Sequence, residues 1–149
     1  TSTLQRSQNT AMASAIDIGD GNDIHPKNKQ EVGKRLYLAA RAKAYNENLI
    51  YSGPQLKSVK REGNDLRISF DFAQNGLKTS GNNAVKGFAI CDKSGKWTWA
   101  NAKIAGNEII VENAATASRV QYAWQSNPDC NLYNAEGLPA VPFNSVCTP

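Results

Sequence analysis

Leu66-Arg67-Ile68-Ser69-Phe70-Asp71-Phe72 alternates apolar and polar side chains without a break. A period of two marks a strand with one buried and one wet face, because successive side chains leave a pleated strand on opposite sides. Gly63-Asn64-Asp65 just before it is turn chemistry, so Leu56–Arg61 reads as the other arm of a hairpin. Further out, residues 87–91 form a short apolar strand, and Ser94-Gly95 turns into Trp97–Ile104. Gly106-Asn107 turns into Glu108–Glu112, and Arg119–Trp124 is a last strand. About seven short strands joined by Gly-containing turns predict an antiparallel β-sandwich of roughly 90 residues. Trp97 and Trp99 share one face of their strand and are expected to be core aromatics rather than a carbohydrate platform. The tail from Gln125 carries Pro128, Pro139, Pro142 and Pro149 and is expected to run irregularly over the sandwich.

Upstream of Ser52-Gly53-Pro54 the pattern changes to strand, loop, helix. Ala11–Ile18 is a small, apolar run ending in Gly19, as in a buried strand. Asp20, Gly21, Asn22 and Asp23 make a turn-rich loop, and Pro26 biases His25 towards an extended conformation. Asn28 with Glu31 three residues later forms a capping-box-like start. From Lys29 to about Asn46 good helix formers dominate, with Val32, Leu36, Ala39, Ala40 and Ala44 on the face expected to be buried. The expected class is α+β, with residues 1–52 and 53–149 as two units.

Hydrophobic residues make up 40% and charged residues 20% of the 149, so a packed core is expected and wholesale disorder is not. The net charge is +4, but the basic residues are scattered. Lys57, Lys60 and Arg61 on a strand, and Lys34, Arg35, Arg41 and Lys43 on the helix, read as solvated faces rather than a nucleic-acid interface. No stretch approaches the ~18–20 apolar residues of a membrane span. Thr1–Thr10 is polar and does not read as a signal peptide. Three cysteines are present: Cys130 and Cys147 are expected to bridge a loop-rich tail, leaving Cys91 as a buried thiol. Such a bridge would favour an oxidising compartment, whether secreted, periplasmic or lysosome-like. With one histidine and no Cys-x-x-Cys, neither a metal site nor a cofactor is expected.

The chemistry-bearing segment is Asp17-Ile18-Gly19-Asp20-Gly21-Asn22-Asp23-Ile24-His25-Pro26. It puts the sole histidine on a loop after a strand and before a helix, the edge where open α/β sheets bind ligands. Imidazole accepts and returns a proton near neutral pH, and a neighbouring carboxylate supports its charged form. The competing reading is a hydrogen-bonded surface histidine. Among the tail residues, Asn127, Asn131, Tyr133 and Asn134 beside Trp124 suit a sugar site, but read first as shaping a turn-rich tail. Leu132, Leu138 and Phe143 next to them call for burial.

Ile16–Asp20, Asp23–Lys29, Val32-Gly33 and Arg35-Leu36 resemble the last catalytic block of the sialate O-acetylesterases, which are SGNH (GDSL-like) hydrolases. Gln121–Trp124, Asn127-Pro128, Asn131–Asn134, Gly137–Ala140 and Pro142-Phe143 continue the resemblance in order, so it runs from about residue 11 to residue 144. It implies a strand–loop–helix remnant of an SGNH domain followed by the sandwich. The implied function is hydrolysis of acetyl esters on sialic acids or related glycans by a serine–histidine mechanism, with His25 as general base. Asp23 is the acid expected beside it. Asp20 and a backbone carbonyl stay open as alternatives, because the superfamily's Asp-x-x-His acid position is Asn22 here. The Gly-Asp-Ser block is absent, so the nucleophile is expected in a segment outside this chain, which is expected to be inactive alone. The alternative function is a non-catalytic glycan-binding or structural β-sandwich.

Overall fold

The computed structural model describes Leu4, Arg6, Ser7 and residues 9–25 and 27–147; the expectations for Pro26 and Pro149 lie outside these residues. Among the described residues, helix α1 (Lys29–Lys43) precedes ten strands. These are β1 (Gln55–Glu62), β2 (Asp65–Asp71), β3 (Leu77–Thr79), β4 (Phe88–Asp92) and β5 (Trp97–Trp99), then β6 (Ala102–Ala105), β7 (Glu108–Val111), β8 (Ala117–Tyr122), β9 (Leu132–Asn134) and β10 (Phe143–Val146). Two four-stranded sheets, ordered β1-β2-β7-β6 and β10-β8-β4-β5, are joined by the pair β3-β9, and every pairing is antiparallel.

The alternation in β2 does what its period requires. Leu66, Ile68 and Phe70 are buried, and the register sets Leu66 against Val111 and Ile68 against Ile109. The second sheet offers Phe88, Val120, Tyr122 and Phe143 to the same core. Phe88 and Tyr122 rings lie 4.9 Å apart, and Phe70 meets Phe143 across the sheets at 6.2 Å, distances at which aromatic pairs attract. Phe72 falls beyond the strand and packs edge-on against Tyr51 at 5.0 Å.

Several expectations are corrected here. Trp97–Ile104 is not one strand: β5 lies in one sheet and β6 in the other. The Ala100 N–H bonds to Phe88 O of the second sheet, while Asn101 O accepts from Glu112 N beside β7 of the first, so the chain crosses between sheets at that dipeptide. Trp97 and Trp99 are exposed, not core. The tail is partly regular, with β9 and β10 inside it, and Leu132, Leu138 and Phe143 are buried as their side chains demand. Asn131 and Asn134 are buried as well, and they shape the tail. Asn134 Nδ2 donates to the carbonyls of Ser52 and Phe72 at 3.0 Å each, and Asn134 Oδ1 accepts from Leu138 N at 2.9 Å.

The expected disulfide is absent: Cys91, Cys130 and Cys147 are free. Cys130 sits beside Gly87 and Tyr122 at one end of β8, whereas Cys147 bonds to Ser118 at its other end. Four residues of strand separate those ends by about 14 Å, beyond the ~7 Å that a bridge tolerates between Cα atoms. The argument for an oxidising compartment falls with it.

Ala11–Ile18 forms no strand; it is chain without a ladder, closed by a turn in which Ile18 N donates to Ala15 O at 3.2 Å. A parallel-type strand needs neighbours to pair with, and among the described residues none lies alongside. Helix α1 begins as expected, with Asn28 Oδ1 accepting from Glu31 N at 3.1 Å. Its inward face is carried by Arg35 and Ala39, while Leu36, Ala40 and Ala44 are exposed, against expectation. The reason is electrostatic: Arg35 reaches into residues 14–17 and rotates that side of the helix inward. Many basic residues serve the fold. Arg61 donates to the carbonyls of Ala114, Ala115 and Ala117, and Arg41 pairs with Glu47. No helix among the described residues is long and apolar enough to cross a membrane.

Candidate functional site

A buried ion pair positions the chemistry-bearing loop. Arg35 donates to both Asp17 carboxylate oxygens at 2.7 and 2.8 Å, and Arg35 Nη1 also donates to the Ser14 carbonyl at 2.6 Å. The Tyr133 hydroxyl donates to Asp17 Oδ2 at 3.2 Å, so one carboxylate ties α1, the segment 14–17 and β9 together. The hydrogen bonds that Arg35 donates to Asp17 strengthen the guanidinium's hold on its proton. Burial, then the Asp17 charge, pushes the Tyr133 phenol up to about 12. Reading the sequence missed this pair. The available signal was a charged residue between Val32 and Ala39, on the side of the helix that turns inward.

From this anchor the chain runs into Gly19–Asp23. Asp23 N donates to Asp20 O at 3.2 Å, Asn22 N to Asp20 Oδ1 at 3.0 Å, and His25 N to Asp23 Oδ1 at 2.9 Å. Each carboxylate therefore serves backbone within its own turn. His25 is exposed, and among the described residues no hydrogen bond reaches its ring. Asp23 is brought beside His25, but through the main chain rather than the imidazole.

Gly19, Asp20 and Gly21 face Trp124, Asn127 and Pro128 across a cleft of about 610 Å³. Gly21 lets the two walls approach closely: a Cβ on it would lie 2.5 Å from Asn127 Nδ2, so the amide would have to shift. Ala123 turns the chain out of β8 into the cleft wall with φ at 50°, a left-handed conformation uncommon for a residue with a side chain, held by its N–H on Gly87 O at 2.8 Å. Of the tail residues, Asn127 and Trp124 line the cleft, whereas Asn131 and Asn134 are structural and Tyr133 anchors Asp17. Ile24 in the loop is 91% exposed, and Leu36 and Tyr37 on α1 are exposed as well. Asp23 and His25 are not among the residues that line the cleft.

The cleft is thus walled by two segments far apart in sequence, one glycine-rich and acidic, the other carrying an indole and an amide, a lining suited to sugars. The fold is that of a chain related to carbohydrate acetylesterases: the solved structure of such an enzyme from Xanthomonas citri superposes with a TM-score of 0.83 at 43% identity, covering 89% of this chain and 32% of that one. The curated relatives are sialate O-acetylesterases. The rat protein is 31% identical over 94% of this chain, the mouse protein 32% over 91% and the human protein 30% over 94%. The chain spans 28 to 30% of the length of these relatives. No protein-family model matches it.

Proposed function

We propose that this chain is the histidine-bearing part of a carbohydrate O-acetylesterase, acting on acetyl esters of sialic acids or related glycans. The observation that carries the reading is the convergence of residues 19–21 and 124–128 on one cleft, since Gly19, Asp20, Trp124, Asn127 and Pro128 among them belong to the two separated stretches that resemble the sialate O-acetylesterases. In this reading residues 1–52 are part of an SGNH catalytic unit and 53–149 an accessory sandwich.

The chemistry needs a nucleophile, supplied by a serine in a segment outside these residues. The exposure of Ile24, next to His25 in sequence, and of Leu36 and Tyr37 on α1 supports this, because large apolar side chains left in water suit a packed neighbour. The serine oxygen attacks the acetyl carbonyl while His25 takes its proton. The alcohol of the sugar leaves with that proton, and water hydrolyses the acetyl-enzyme by the same relay. The free ring of His25 suits a proton acceptor whose partners arrive with the second segment. Asp23 acts as a positioning residue, pinning the His25 backbone.

The test combines the chain with the serine-bearing segment and follows acetate release from an O-acetylated sialic acid. His25→Ala is expected to lower kcat by about 10³-fold or more. Unchanged turnover by that variant removes His25 from the mechanism.

A further inference from the structure

The outward face of the second sheet carries two exposed indoles that neither the core nor the cleft uses. Trp97 and Trp99 stand on β5, the edge strand, 38% and 67% exposed, and all three residues of that strand are exposed. They share a face about 7 Å apart along the strand, the scale of neighbouring sugar rings.

The register fixes what lies beside them. Trp99 is opposite Ala89, which is opposite Gln121, which is opposite Asn144. Trp97 is opposite Cys91, then Arg119, then Val146. Directly opposed residues share a face. Phe88, Val120 and Tyr122 at the alternate positions fill the core, so these two rows lie on the opposite side of the sheet, where Ala89 and Cys91 of β4 are themselves buried and the exposed groups include the two indoles and Arg119. Small residues on β4 therefore separate an aromatic edge from an amide and a guanidinium two strands, or about 10 Å, away. Arg119 donates through Nε and Nη2 to Asn144 Oδ1 at 3.2 and 2.9 Å. Among the described residues no carboxylate pairs with it, and none stands on either row. An oriented guanidinium whose charge is left uncompensated complements a carboxylate. Beyond Gln121, two residues of β8, about 7 Å, lead to Ala123 in the cleft wall.

We propose that this face is a second, non-catalytic binding site for acidic oligosaccharides, with sugar rings stacked on Trp97 and Trp99 and a sugar carboxylate held by Arg119. Binding here requires no turnover, so it stands or falls independently of the role of His25.

Calorimetric titration of the chain tests it, using 3′-sialyllactose and tetragalacturonate as acidic probes, with lactose and fully methyl-esterified tetragalacturonate as neutral counterparts. The acidic probes are expected to bind at least fivefold more tightly. Trp99→Ala should weaken both kinds about tenfold while Trp99→Phe, which keeps a stacking face, retains most of the affinity. Arg119→Gln should abolish the preference for acid and leave neutral binding in place, and His25→Ala should change neither. Absence of binding by all four saccharides overturns the proposal, as does affinity indifferent to Trp97→Ala and Trp99→Ala together. Sedimentation showing a concentration-dependent dimer that Trp99→Ala dissolves would overturn it in favour of a second copy on this face.

Discussion

At the scale of single residues, the anchoring of the loop rests on groups whose neighbours leave them no alternative. The Arg35 and Asp17 side chains are only 5% and 10% exposed, so neither can turn freely to water if the other is lost. Removing one partner of a buried ion pair costs about 3–5 kcal/mol, because the survivor stays desolvated. Arg35→Met is therefore expected to lower unfolding free energy by about 3 kcal/mol, as a reduced midpoint in urea denaturation. A shift below about 0.5 kcal/mol, the usual surface value, would mean that Asp17 is solvated. Gly53 is constrained by space: a Cβ there would stand 1.9 Å from the Pro139 carbonyl oxygen, which is backbone and cannot swing aside. Gly53→Ala should cost about 3 kcal/mol or more, at or beyond the top of the range for overpacking, measured by thermal unfolding. Gly21 meets an amide side chain instead, which has room to rotate.

Among elements, the contact that matters is β9 against the segment feeding the loop. Tyr133 is held in its neutral form by burial first and by the Asp17 charge second, with its pKa raised to about 12. The folded chain then keeps a proton that the unfolded chain has lost above its own pKa of about 10. Stability from this phenol is complete below pH 10 and is lost as pH rises through about 12. Burial raises Tyr122 as well, so stability falls with pH for both residues over the alkaline range. Tyr133→Phe is expected to flatten, without removing, the decline in denaturation midpoint between pH 10 and 12. An identical slope in wild type and variant would show that Tyr133 ionises no differently in the two states.

For the whole molecule, the sandwich is a closed unit with a core between two sheets, whereas α1 and its loop present apolar side chains outward. If that surface receives the serine-bearing segment, Leu36→Glu should leave the thermal midpoint of the chain unchanged, since Leu36 is exposed. It should also reduce acetate release in the combined system at least tenfold. Full activity with Leu36→Glu would place the interface elsewhere.

What the amino-acid order determined alone was local. The period of two in β2, the Gly-containing turns and the Asn28 cap each report on a few adjacent residues, and these features appear with boundaries off by only a few residues. The resemblance to the sialate O-acetylesterases was equally legible, because it rests on short stretches that follow one another in order along the chain. Only the tertiary structure decided which faces turn inward. Leu36 lost its place to Arg35 because an ion pair to residues 14–17 outweighed the helix's apolar stripe, and a helix cannot bury both sides against one neighbour. The chain at Ala100-Asn101 changed sheets, the paired cysteines ended at opposite ends of β8, and Trp97 and Trp99 came to lie on an outward face. Each outcome depends on contacts tens of residues apart, and hydrogen bonds and buried charge at that range leave no periodic trace in the sequence.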